Sequence, residues 1–279
     1  MTFDSNRAWR EASAAASANR DVLLAVAGVF FLLPGLASIF FLSDFQADMM
    51  ANIGNPEASQ RLMAEMTGPV VGVGLFSFAF QSVGYLAMLA LLTDRTRPTV
   101  GQAILTAIKA LPSVIGAMLL FAIGYMMAII FVAMLAAPLR AMGGLAGVLV
   151  LLFALIVGGA AYTAVRFSLV LPVIAIENVR NPVAAMMRSW SLTRGNSLRL
   201  FGFYLILMIV YLILLLVVSM VAVLILSLVA GQGKITMLVS GVVSGAVGAA
   251  ASVLLTAILA AIHRQLAGPS KEAIGATFD

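Results

Sequence analysis

The chain has 279 residues, 63% of them hydrophobic and 10% charged, with a formal net charge of +5. That composition excludes a soluble globular domain and reads as a membrane protein, one whose positive balance answers to topology and anionic lipid and implies no nucleic-acid partner. With no cysteine, disulfides, thiolate metal sites and thiol nucleophiles are excluded as well.

Six runs carry no charged side chain: 22–43, 66–93, 110–139, 141–165, 200–233 and 235–262. Each exceeds the ~20 residues that cross a hydrocarbon core as a helix. None shows the polar/apolar alternation of a barrel strand, so helices alone satisfy the backbone in lipid. The fold class is therefore all-α, a polytopic protein with six transmembrane helices. The expected spans are 22–43, 69–92, 112–137, 144–166, 201–229 and 236–262, within one membrane domain, 1–279.

Taken in order, residues 1–21 mix acids and bases before a first run too long for a signal-peptide core, which predicts a retained span behind a cytoplasmic segment. A short Ala-rich helix is expected from Asn6 to Arg20, with Phe3 and Trp9 as large interfacial anchors. The second span offers small residues at Gly68 and Gly72 and a polar stripe, Ser77, Gln81 and Tyr85. That stripe suits hydrogen bonding to a neighbouring helix, or a cavity. A second short helix is predicted from Thr99 to Leu111, with Val100, Ile104, Ile108 and Leu111 on one face. The fourth span carries Gly143, Gly147, Ala154 and Gly158. The sixth carries Ser240, Ser244, Gly248 and Ser252 with Gly241 and Gly245 alongside, a face for close helix approach. It ends at His263, the single histidine and an interfacial side chain on this reading, before a cytoplasmic tail, 267–279.

Orientation follows from the basic residues. Segments 1–21, 93–109, 166–199 and 263–279 hold 13 of the 16 Lys and Arg, which predicts both termini and these connections on the cytoplasmic side of the inner membrane. Three short helices, each followed by two spans, divide the chain into units of about 3–92, 97–170 and 178–266. Either repeats or independent amphipathic loops account for that layout.

The connector between the fourth and fifth spans, Arg166 to Gly195, holds most of the site chemistry. Arg166 interrupts an apolar run that resumes until Glu177, and Pro172 should break or kink the helix between them. That geometry lets Arg166 and Glu177 approach one another near the inner interface. Asn181 then caps a third short helix, Pro182 to Leu192, whose Val183, Met186, Met187 and Trp190 form one apolar stripe ended by Gly195. Arg166, Arg180 and Arg188 are candidates to hold an anionic head group, phosphate above all, because guanidinium forks match its oxygens. Glu177 would orient one of them and Trp190 would anchor the helix at the interface. Snorkelling of Arg166 and positive-inside charge account for the same arginines without a ligand.

The connector reads R…P…E…A..RSW.LT.G through Arg166, Pro172, Glu177, Ala185, Arg188, Ser189, Trp190, Leu192, Thr193 and Gly195. In this it resembles the membrane domain attached to some glycerophosphoryl diester phosphodiesterases and the related YciC-like bacterial inner-membrane proteins. The AWREA start at Ala8 to Ala12 and the RQL ending at Arg264 to Leu266 extend the likeness in layout. The resemblance implies a six-span inner-membrane domain without phosphodiesterase activity. The enzyme's TIM barrel, with its catalytic histidines and metal-binding carboxylates, would need roughly 230 further residues. His263 stands where a tyrosine is expected from that family.

Three functions follow. The leading one is non-enzymatic binding or movement of a lipid-like or phosphate-bearing amphiphile, with anionic membrane lipids as partners and no cofactor or metal. The second is an accessory or scaffold subunit packing its small-residue faces against a membrane-protein partner or a second copy. An intramembrane enzyme using His263 with Ser240 or Ser244 is the third, weakened by several helical turns of separation. With no acid inside a span, a proton-driven pump lacks its usual mid-membrane group.

Overall fold

A computed structural model of the chain describes residues 2–93, 98–141, 145–231 and 234–268. Ten α-helices and one π-helical turn appear among them: α1 Ser5–Ala18, α2 Arg20–Ala27, the π turn Gly28–Leu32, α3 Leu33–Ala51, α4 Pro56–Leu91, α5 Val100–Ala141, α6 Leu145–Phe167, α7 Val170–Ile176, α8 Pro182–Thr193, α9 Ser197–Ala230 and α10 Lys234–Ala267. Six stretches are long and apolar enough to cross a membrane: Arg20–Ala51, Pro56–Leu91, Val100–Met134, Leu155–Ile176, Ser197–Val229 and Leu238–Ala267. The chain is an all-α, multi-pass membrane protein. Most of the tail 267–279, and Gly143, lie outside the described residues, as do the side chains of Gly147 and Ala154.

Ile206, Val210, Ile213, Leu216, Met220, Leu224 and Leu228 along α9 are exposed, the surface a bilayer would cover. Burial concentrates at the helix ends that flank the basic connections: Leu86 to Leu89, Ala103 and Ala107, Leu169 to Ile174, and Ala257 to Ile262. The third span differs from expectation. Thr99 to Leu111 is no separate interfacial helix, because α5 runs unbroken from Val100 to Ala141. Pro112 lies inside it, with one amide lost and its ring against the preceding turn, and the helix formers Ala110 and Leu111 beside it carry the helix through. The short helices at the N-terminus and in the connector are separate elements, α1 and α8.

The chain divides into two compact units. One comprises Ala12–Ile108 and Leu207–Ala257. Within it the first span packs on the second and sixth through aromatic rings set against glycines. Phe31 lies edge-on to Tyr85 at 4.6 Å, and Phe30 lies 5.2 Å from Phe80. A Cβ at Gly84 would stand 2.6 Å from Phe30 Cβ, so this crossing needs glycine. Gly245 faces Leu32 at 2.7 Å from where its Cβ would stand, and Gly241 faces Ile39 still more closely. The small face of the sixth span is thus consumed within the chain. Of the polar stripe on α4, the Tyr85 hydroxyl meets Ser252 Oγ at 3.5 Å, a helix-to-helix contact. Ser219 and Ser244 pair similarly at 2.9 Å. By contrast, a Cβ at Gly68, Gly72 or Gly158 would meet nothing within 4 Å, so these glycines serve no helix crossing within the chain.

The other unit comprises Met1–Glu11, Lys109–Ile206 and Ile258–Asp279. It contains the whole connector.

Candidate functional site: the arginine connector

Within the fourth span α6 stops at Phe167, the chain turns through Ser168 and Leu169, and the helix restarts as α7. Pro172 explains the position of the restart. It sits in the first turn of α7, where no amide is needed, while a continuous helix would have required its missing N–H to reach the Ser168 carbonyl. The break frees backbone groups in a buried place. Ser189, itself fully buried, repairs it: its hydroxyl donates to the Arg166 carbonyl at 2.8 Å and accepts the Leu169 amide at 3.2 Å. Thr193, one turn on and also fully buried, adds a longer bond to the same carbonyl at 3.4 Å. Neither residue was assigned a role from sequence. The signal was present in the R-S-W…L-T spacing, but a hydroxyl's target cannot be read without the partner helix.

Beyond α7 the chain leaves the helix through Asn178, whose φ of 55° is the left-handed conformation that asparagine tolerates at a C-terminus. The Asn181 side chain accepts the Val183 and Ala184 amides at 2.9 and 3.2 Å, and Pro182 opens α8. Ser113 of the third span donates to the Arg180 carbonyl at 2.6 Å. Gly195, with φ of 84°, ends the segment. Asn196 then fixes the N-terminus, accepting the Phe3 amide at 2.9 Å, while Phe3 lies edge-on to Phe203 at 5.5 Å.

The predicted stripe on α8 is the outward one: Val183, Met187 and Trp190 are exposed, and Ala185, Ser189, Leu192 and Thr193 are buried. Successive helical residues point about 100° apart, so Arg188, Ser189 and Trp190 fan out in three directions. Ser189 enters the helix break. Arg188 Nε donates to both Glu177 oxygens, at 3.2 and 3.0 Å. Trp190 reaches Arg166, whose Cζ lies 4.7 Å from the indole and 5.1 Å from the Tyr162 ring. Arg166 also donates from Nε and Nη2 to the Tyr162 hydroxyl at 3.0 and 2.8 Å, and from Nη1 to the Trp190 carbonyl at 3.4 Å. Two cation–π contacts at such partly exposed sites contribute about 0.5–1 kcal/mol each.

The expected approach of Arg166 to Glu177 does not occur. Because Arg188 and Trp190 leave α8 on nearly opposite sides, they hold Glu177 and Arg166 apart. Glu177 does orient an arginine, Arg188. Its second partner is His263, whose Nε2–H donates to Glu177 Oε1 at 2.9 Å. The histidine is only 4% exposed, so it is a buried anchor joining α10 to the connector and not an interfacial side chain. Burial alone would raise the Glu177 carboxyl, but the hydrogen bonds and charges of Arg188 and His263 outweigh it and hold the group below its ordinary range. Arg180 stands apart, exposed, with Nη2 3.2 Å from Asn178 Oδ1. Trp9 lies on α1, 43% exposed, and is not among the residues gathered here. Among the described residues no three His, Asp or Glu side chains cluster as a metal site would require.

Two of the connector's four arginines are differently balanced: Arg188 is neutralised by Glu177, and Arg166 is surrounded by neutral hydroxyl, carbonyl and aromatic groups. No curated protein and no solved structure matches the chain. Residues 140–268, just under half of the sequence, match the family model described as the membrane domain of glycerophosphoryl diester phosphodiesterase, its membrane domain and not its catalytic one, and so bear out the resemblance carried by the connector motif.

Proposed function

We propose that this multi-pass protein binds an anionic amphiphile, its head group held at the connector on the cytoplasmic side of the inner membrane, without performing chemistry on it. The distribution of basic residues supports that orientation, with both termini cytoplasmic. The observation that carries the reading is Arg166. It sits in the last turn of α6, held by Tyr162 and Trp190, with no carboxylate against it among the described residues. A half-buried guanidinium kept in place by neutral groups is a ready receptor for an external anion. The rings beside it are the amphipathic kind that favour the head-group layer.

The test is retention of lipid. The protein is extracted in mild detergent, washed through extended exchange and examined by native mass spectrometry. Anionic phospholipid should remain bound in a small integral ratio while zwitterionic lipid is lost. A protein that emerges free of lipid, and takes none up from mixed micelles, would end this reading. For the scaffold alternative, Gly241 and Gly245 are covered by Ile39 and Leu32 of the same chain, while Gly68, Gly72 and Gly158 stay open.

A further inference from the structure

We infer that the connector selects a singly charged phosphodiester carried by a membrane lipid, and that Arg166 alone receives it, with Arg188 excluded. This rests on the reading that the connector holds an anionic amphiphile, and adds which residue binds and what charge it accepts.

Charge balance separates the two arginines. Arg188 gives its Nε–H to both oxygens of Glu177, whose Oε1 also takes the His263 proton. Arg188 keeps further N–H donors, but Glu177 already balances its charge, so an anion recruited there would bring a second negative charge beside a partly buried carboxylate. Arg166 has no such commitment. Three of the five N–H donors of its guanidinium go to neutral acceptors: two to the Tyr162 hydroxyl and one, at 3.4 Å, to the Trp190 carbonyl. Two remain, and a phosphodiester presents two unesterified oxygens to a guanidinium edge. One positive charge matches the single negative charge of a diester. A monoester of nearly two charges would need a second cation, and the one that α8 itself carries, Arg188, is already balanced by Glu177.

The surroundings indicate the source of that phosphate. Tyr162 and Trp190 are 46% and 37% exposed, and Met187 on the outward face of α8 is 69% exposed. Phe167 extends the aromatic wall, 5.5 Å from Trp190. A small soluble anion would leave this surface bare, whereas acyl chains entering the bilayer beside α6 would cover it. Tyr162 has a positioning role, because its hydroxyl takes Nε and Nη2 together and turns the opposite edge of the guanidinium outward.

The experiment uses the full chain carrying Trp9→Phe, so that Trp190 is the sole indole, titrated in neutral detergent micelles. The probes are phosphatidylglycerol, phosphatidic acid, phosphatidylcholine and water-soluble glycerophosphoglycerol, the deacylated head group. Binding is read from Trp190 emission and native mass spectrometry. Arg166→Gln should raise the half-saturating phosphatidylglycerol fraction at least tenfold, Arg166→Lys and Tyr162→Phe three- to tenfold, and Arg188→Gln less than threefold. The two conservative variants keep the test open if the glutamine variant does not fold. Phosphatidic acid should bind no more than threefold tighter than phosphatidylglycerol, and glycerophosphoglycerol should not compete at equal concentration. Binding insensitive to Arg166, a tenfold preference for phosphatidic acid, or equal competition by the soluble head group overturns the inference while leaving amphiphile binding intact. No uptake of any anionic lipid by the unsubstituted arginine protein overturns both.

Discussion

Replacing Ser189 by alanine tests the physical account of the connector most directly. The hydroxyl serves two backbone groups at the α6–α7 break, the Leu169 amide at 3.2 Å and the Arg166 carbonyl at 2.8 Å. Leu169 and Ser189 are both fully buried, so the orphaned amide bears the desolvation cost of an unsatisfied donor, about 1–3 kcal/mol. The carbonyl keeps the weaker Thr193 bond at 3.4 Å, so its loss is smaller, about 0.5–1.5 kcal/mol. Ser189→Ala should therefore destabilise the protein by about 2–4 kcal/mol, and Thr193→Ala by about 1 kcal/mol. The assay is reversible unfolding in mixed micelles of rising dodecyl sulfate fraction, followed by far-ultraviolet circular dichroism. A Ser189→Ala protein within about 0.5 kcal/mol of the parent would mean that the break is stable without its clamp, and the account of the motif would fall.

Other outcomes follow from the same contacts. Glu177 titrates below its ordinary 4.5 in the folded protein, so the stability it contributes is complete above that value and lost as pH falls through the lower folded one. Unfolding midpoints measured from pH 6 to pH 3 should fall more steeply for the parent than for Glu177→Gln, and parallel curves would refute the assignment. Gly84→Ala, whose Cβ would meet Phe30 and Phe31 at 2.6 and 2.7 Å, should cost about 1–3 kcal/mol. Gly68→Ala, which meets nothing within 4 Å, should be neutral or stabilising by up to about 1 kcal/mol; equal effects in the micelle assay would deny the crossing. Ser113→Ala removes the 2.6 Å bond to the Arg180 carbonyl and should lower stability by about 1 kcal/mol, with faster amide exchange at Asn181 to Ala184 as its local sign.

The spans were legible because their signal is one-dimensional: a charge-free run longer than the hydrocarbon core allows one conformation. Asn181, Pro182 and Gly195 likewise act on the backbone beside them, so α8 could be bounded from sequence alone. Glycine faces were half legible. Gly241, Gly245 and Gly68, Gly72 look alike in the chain, and only a neighbour such as Ile39 or Leu32 distinguishes a crossing from an open surface. The pairing of Arg166 with Glu177 failed for a related reason. Proximity across a kink depends on which side chains the next helix inserts, and the Trp190 ring and the Arg188 fork were already assigned by the 100° step of α8. His263, 86 residues from Glu177, carried no local mark of its partner.

The long-range bonds of the connector also bear on how the protein is made. The Phe3 amide meets a residue 193 positions later, the Asp4 amide meets Gln265 across 261 positions, and Glu177 waits 86 residues for His263. During synthesis the first five spans must therefore enter the bilayer with the Arg188–Glu177 pair incomplete and the N-terminal segment only half tethered. Closure is the last event, set by the emergence of the final helix end, and non-local closure of this kind is slow. Until then Arg166 and its aromatic neighbours already stand together, all drawn from residues 162–190, so the edge proposed to receive the amphiphile is complete before the latch that finishes the unit. A lipid met at that stage would bind a nascent chain, acting as a template for the connector before it becomes cargo or ligand.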